Sequence, residues 1–164
     1  MGLRFYPRKT DRVQFVTSVD DAVDVSDAEK LDAYKAYLDS HDISGVSLVG
    51  EPVVFHLRPL TVDVLEYAIR DTSGLAPSMH IDVPASRRMF QLCCEDITGP
   101  GSDRLKRPLT QMHYGYQGLS AAVMANIPSA ACVEAASMLL STLPGDDDET
   151  GLDKPIESAG LKKK

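Results

Sequence analysis

The side chains with the strongest claim to chemistry in this 164-residue chain are four histidines, three cysteines and one acidic run. His41, His56, His80 and His113 are scattered, and none stands in an HExxH, a GxSxG, or an HxE followed by CxxC. His80 and Asp82 form an isolated H-x-D in a stretch of turn residues, with no further ligand close by. Cys93 and Cys94 are adjacent and Cys132 stands alone, an odd count without CxxC spacing that suits reduced thiols in a cytosol. A nucleophile at Cys93 or Cys94 needs a histidine delivered by the fold. Both fall in an apolar helical pattern, where thiols behave as small core hydrophobes. Asp146, Asp147, Asp148 and Glu149 lack the spaced ligands, central glycine and terminal glutamate of a calcium loop. Arg104, Lys106 and Arg107 cluster without a glycine-rich loop of P-loop spacing. The expectation is a protein that is not an enzyme, with no catalytic residues, no cofactor and no metal.

Composition narrows the classes further. The length suits a single domain, and a chain of this size buries about 70% of its unfolded surface. With 43% hydrophobic residues, 6% aromatic and no tryptophan, the core is expected to be aliphatic. A formal charge of −7 argues against nucleic acid, since phosphate neutralisation needs clustered Lys and Arg. No apolar run approaches the roughly 20 residues of a membrane span. The opening MGLRFYPRK lacks the apolar stretch of a secretory signal, and Tyr6 stands where a myristoylation pattern wants Ser or Thr.

The elements that must position these residues follow from periodicity. Residues 1–25 read as an extended N-terminal arm, although VQFVTSV, from Val13, alternates well enough for a short edge strand. Residues 26–143 read as one mainly helical domain. Ser26 and Glu29 have capping-box spacing ahead of Leu31, Tyr34 and Leu38, and that helix ends near His41. The aromatic pair Tyr34 and Tyr37 is expected half-buried at the core edge, the other reading being a binding face. Thr61 caps a second helix, with Val62, Leu65 and Ile69 on one face. A third runs through ASRRMFQLCCEDIT to Gly99, behind Asp82 and Pro84. Arg87 and Arg88 oppose its dipole, which calls for an acidic partner. A fourth covers 119–126, after Gly115 and Gly118, which suit close backbone contact between helices. Pro128 opens the last, where Cys132, Ala136, Leu139 and Leu143 share one face while Met138 and Leu140 lie off it. Residues 144–164 are acidic, aperiodic and end in three lysines, the composition of a disordered tail.

Between the first two helices, Val46 and Leu48 alternate, Gly50 and Glu51 suit a turn, and Val53, Phe55 and Leu57 alternate with Val54, His56 and Arg58. These residues predict a β-hairpin over 45–58. The fold class is therefore α+β, mainly α: a small N-terminal hairpin packed on a bundle of about five helices, with a disordered acidic tail.

The residue order Gly50-x-Pro52-x-x-Phe55-x-Leu57-Arg58-Pro59-Leu60-Thr61, followed by an amphipathic helix, resembles the front end of tail assembly chaperones of long-tailed bacteriophages. The resemblance covers residues 46–70. It implies a protein that coats the apolar, helical tape measure protein, keeps it soluble and recruits tail tube protein, in the host cytoplasm. It also implies two product lengths made by frameshifting, which an adenine run encoding the lysines at 162–164 would suit. Partner-binding candidates are Phe55 and Leu57 on the strand and Met138, Leu139, Leu140 and Leu143 on the last helix, as apolar surface beyond what the core takes up. Self-association is open. The alternative is a structural virion protein, a connector or a capsid- or tail-associated component.

Overall fold

The structure is a computed structural model and describes residues 12–70, 81–104, 111–113 and 116–143. Its architecture is α+β and mainly α. Strand β1 (Val13–Phe15) leads to helix α1 (Ala28–Ser40), strand β2 (Val54–Leu57), helix α2 (Val62–Ile69), helix α3 (Val83–Cys93) and strand β3 (Cys94–Thr98). A two-stranded ribbon, β4 (Gln111–His113) and β5 (Tyr116–Gly118), precedes helices α4 (Ala121–Met124) and α5 (Ser129–Leu140).

The expected hairpin does not form. The strand predicted at 53–58 is present as β2, but it lies between β1 and β3 in an antiparallel sheet of order β1-β2-β3. Its proposed partner, 46–48, instead makes a single bridge, Leu48 to Val23, backed by Val49 N–H donating to Ala22 O at 2.9 Å. The alternation in β2 explains the choice. Phe55 and Leu57 are buried while His56 points out, and only β1 and β3 supply a matching row, Phe15–Phe55–Ile97, behind which a core can close. Nor is the region from Val13 an arm, because Phe15 and Val16 are fully buried. The outer edge of β1 is covered by α1. Tyr37 Oη donates to Gln14 O at 2.6 Å and accepts from Val16 N–H at 3.1 Å, where a further strand would otherwise pair.

The helix expected over ASRRMFQLCCEDIT stops at Cys93, and the chain turns at once into β3. Ile97 and Thr98 are β-branched, and the free side of β2 offers them backbone partners that a longer helix would leave unmade. Arg58 fastens the junction. Its N–H donates to Cys93 O at 2.7 Å, and its guanidinium donates to Leu92 O. Cys94 pairs with Leu57 and Asp96 with His56, so Glu95 is the extra residue of a β-bulge. The bulge turns the Glu95 carboxylate toward Arg58 Nε at 3.3 Å and Arg12 Nε at 2.7 Å.

Local signals otherwise place the helix starts. Thr61 and Asp82 cap α2 and α3 as expected. Helix α1 starts one residue later than predicted, capped by Asp27, whose carboxylate accepts from Lys30 N–H at 2.8 Å in place of the Ser26–Glu29 box. Leu31 is outside the buried set of that helix, which is Tyr34, Tyr37 and Leu38. Arg87 and Arg88 find carbonyls where an acid was expected. Arg87 donates to Met124 O at 2.7 Å and Ile127 O at 3.0 Å, and Arg88 to Ala68 O at 2.9 Å. Each thus meets carbonyls at or just beyond the end of another helix, which attract a cation without a carboxylate. The close contact expected between helices at Gly115 and Gly118 is, at Gly118, between the end of strand β5 and helix α3, and Gly115 lies outside the described residues. Gly118 lies against the Gln91 carbonyl, and Leu119 N–H donates to Gln91 O at 2.9 Å.

Helix α3 packs on α5 on one side and α2 on the other, while α1 packs on α5. Ala131 and Ala135, fully buried, belong to the buried face of α5. Against the sheet, Phe90 of α3 sits edge-on to Phe55 at 5.2 Å and to Phe15 at 6.4 Å between ring centroids.

Gly99 ends β3 with φ of 103°, and a Cβ there would collide with the Pro52 carbonyl. An L side chain meets both strain and backbone overlap. Gly99→Ala is expected to lower stability by about 2 kcal/mol or more, read as a reduced urea midpoint. An unchanged midpoint would mean that the 99–101 turn relaxes freely.

Candidate functional site

Three places concentrate polar or reactive groups. The first is a depression of about 580 Å³ lined by Arg12, Val13, Gln14, His41, Pro59, Ser141 and Thr142. It forms where α1 and α5 end side by side. His41 closes α1 in the left-handed region, φ 63°, with its N–H donating to Tyr37 O. His and Asn tolerate that conformation better than most residues, and such a cap is a common helix ending. His41 Nε2 lies 2.6 Å from Ser141 Oγ, which looks like a nucleophile and its base. The remaining bonds say otherwise. Ser141 Oγ donates to Met138 O at 2.6 Å, so its single proton is committed to the backbone and the hydroxyl accepts from the histidine. No carboxylate orients the other ring nitrogen among the described residues. Thr142 Oγ1 accepts from Leu60 N–H at 3.0 Å, tying the end of α5 to the segment after β2. The geometry joins two helix ends; it does not activate an oxygen.

The second is a polar cluster around Glu134, the one charged residue of α5. Its carboxylate accepts from Thr17 Oγ1 at 2.8 Å, from Ser18 N–H at 3.0 Å, from Tyr34 Oη at 2.7 Å, and from Ser18 Oγ. Burial, and then the hydrogen bond to Glu134, push the Tyr34 hydroxyl well above its usual range, while burial pushes Tyr37 up to about 12. Neither phenol is poised to give up a proton. A carboxylate on which four donors converge, three at Oε2 and one at Oε1, is a clamp, and it holds the 17–18 turn onto α1 and α5.

The third is the pair of adjacent thiols. Cys93, Cys94 and Cys132 are buried. Burial pushes Cys93 up to about 12 and raises Cys94 and Cys132 as well. Thiolate is the reactive form, so these groups are inert in the folded chain. Thiol reagents are expected to label none of the three under native conditions and all three after unfolding; one fast native thiol would reopen cysteine chemistry.

Among the described residues, no group of three or more His, Cys, Asp or Glu side chains converges to hold a metal, and no helix is long and apolar enough to cross a membrane. His56 Nε2 pairs with Thr98 Oγ1 at 2.9 Å on the outer face of the sheet. Asp82 serves as the cap of α3. His80, Lys106, Arg107, the acidic run at 146–149 and the whole 144–164 tail lie outside the described residues.

The residues expected to hold a partner are largely internal. Phe55, Leu57, Met138 and Leu139 are buried in this chain's own core, and Leu140 and Leu143 pack against it half-buried. The reason is that α5 has neighbours on two sides, α3 and α1, so an all-round apolar helix is used up internally. Among the described residues one exposed large apolar side chain, Val133, is on α5, and the others lie elsewhere: Val19, Leu31, Leu48, Val49, Val62, Ile69 and Val83. On α2 the buried face is Val64 and Ala68, so the stripe of Val62, Leu65 and Ile69, expected to face inward, is turned largely outward.

Sequence reasoning passed over Glu134, Thr17, Ser18 and Val49. A lone acid in an apolar helix was the available signal for Glu134. Nothing local marks Val49, whose exposure follows from strand pairing. No family model matches the chain, and no curated protein or solved structure is significantly similar to it.

Proposed function

We propose that this protein is a non-enzymatic interaction protein of the tail assembly chaperone kind, which binds a phage tape measure protein and promotes tail tube assembly in the host cytoplasm. The observation that carries the reading is where the apolar surface lies. Of the eight large apolar side chains exposed among the described residues, Leu48, Val49, Val62 and Ile69 fall within residues 46–70. That is the stretch that resembles the chaperones, and a client-binding face must be apolar and open to solvent. The client surface is therefore reassigned from α5 to the 48–49 tip and the outer face of α2. The clamps at Glu134 and at His41–Ser141 give the scaffold rigidity without chemistry, which suits a protein that works by binding.

Co-expression with the tape measure protein of a long-tailed phage tests the reading. The client is expected to stay soluble and copurify with this chain, and purified mature particles are expected to lack it. Fixed copies in mature particles would favour the structural virion component, and a client equally soluble without this protein would remove the chaperone reading.

A further inference from the structure

We infer that the tip formed by residues 19–22 and 47–51 is a preorganised docking surface for an apolar segment flanked by lysine or arginine on another protein. The inference deepens the reading above, on which it rests for the existence of a client, by naming the surface and the chemistry of what it takes.

Two chain segments build the tip. The Leu48–Val23 bridge, Val49 N–H to Ala22 O at 2.9 Å and Asp24 N–H to Ser47 O at 2.8 Å hold them side by side. Asp20 locks the assembly. One carboxylate oxygen accepts from Ala22 N–H at 2.9 Å and the other from Val53 N–H at 2.8 Å. The turn before it is anchored by the Glu134 clamp through Thr17 and Ser18. The apolar side chains left outside are Val19, Leu48 and, at 68% exposure, Val49. Apolar groups held outward by this many backbone and carboxylate bonds lose little freedom on binding, which favours affinity.

Charge selects the partner. Asp21 and Glu51 are exposed and stand two residues beyond Val19 and Val49, and neither carboxylate has an ion pair or hydrogen bond among the described residues. Asp24, by contrast, is occupied by Lys30 at 2.7 Å. An apolar tip rimmed by two unpaired carboxylates, on a chain of charge −7, attracts cationic flanks and repels acidic ones. It also disfavours a second copy of the same tip, because like charges would meet.

The test titrates the full chain with two synthetic amphipathic peptides, identical except that one carries lysines and the other glutamates beside a leucine stripe. Amide shifts in the protein are followed by NMR. The lysine peptide is expected to shift residues 19–22 and 47–51, to weaken as salt is raised, and to bind at least about tenfold more tightly than the glutamate peptide. Val49→Ser, at a solvent-exposed position, is expected to keep the fold and lose about tenfold in affinity. The double variant Asp21→Lys, Glu51→Lys is expected to reverse the preference between the peptides, which a merely structural role would not do. Equal binding of both peptides, no binding of either, shifts confined to α2, or dimerisation through the tip would each overturn the inference. If a tape measure protein still copurifies with Val49→Ser while the peptides fail, the chaperone reading stands and the tip does not. If the lysine peptide binds but the client does not copurify, the reverse holds.

Discussion

Phe90→Ala is expected to destabilise the protein by about 4 kcal/mol, the largest single effect in this fold. Phe90 is fully buried and joins the two layers, lying edge-on to Phe55 and Phe15 of the sheet from a position on α3. Truncation removes the transfer energy of a whole ring and leaves a cavity that Phe55 and Phe15 can fill only by leaving their rotamers. The edge-to-face pairs add about 0.5–1.5 kcal/mol beyond area burial. Urea unfolding with an unchanged slope and a reduced midpoint would read the loss directly. A loss below about 2 kcal/mol would mean that α3 and the sheet close over the gap, and that the aromatic trio is not the joint between layers.

Glu134→Ala is expected to cost about 3 kcal/mol, because hydrogen bonds to a charged acceptor are worth about 1.5–3 kcal/mol each and several donors lose their partner together. The Thr17 and Ser18 hydroxyls would lose their acceptor, while Tyr34 Oη keeps Val16 O at 3.0 Å and Ser18 N–H keeps Tyr34 Oη at 3.0 Å. Glu134→Gln keeps the shape but turns an NH₂ toward groups that are themselves donors, so it should recover only part of the loss. A double-mutant cycle with Tyr34→Phe separates the pair from the rest of the cluster, with a coupling of about 1–2 kcal/mol expected between residues in one network. Additive losses would show that Tyr34 and Glu134 act independently. The same variant bears on function. Since Thr17 and Ser18 lead into Val19, loosening this clamp should weaken binding at the 19–22 and 47–51 tip as well as stability.

Helix starts were legible because a cap is a local event. Thr61, Asp82 and Pro128 sit where their chemistry says a helix begins, and the alternation from Val53 to Arg58 marks β2 and its buried side. The expectation of inert thiols likewise needed only the apolar character of the segment around Cys93 and Cys94. What the pattern could not show was the end of α3, since Met89, Cys93 and Ile97 keep helical spacing across a junction that the structure breaks. A period of three to four residues continues to score well when a strand residue happens to fall on it. The break depends on Arg58 and on the open side of β2, both distant in sequence.

The candidate interaction surface was the least legible part. Met138 and Leu139 were apolar enough for a partner, and Val62 and Ile69 apolar enough for a core, and the fold assigned them the opposite way. By itself the amino-acid order determined the mainly helical α+β class, most of the helix starts, the inward rows of β2 and the burial of the cysteines, because each depends on neighbours within a few residues. Only the tertiary arrangement decided that β2 takes β1 and β3 as partners, that α5 is enclosed between α3 and α1, and that Glu134 gathers a turn more than a hundred residues away. The reason is that hydrophobic burial has no direction of its own: an apolar side chain is satisfied by any apolar neighbour, and which one it meets is settled when distant segments compete for the same space.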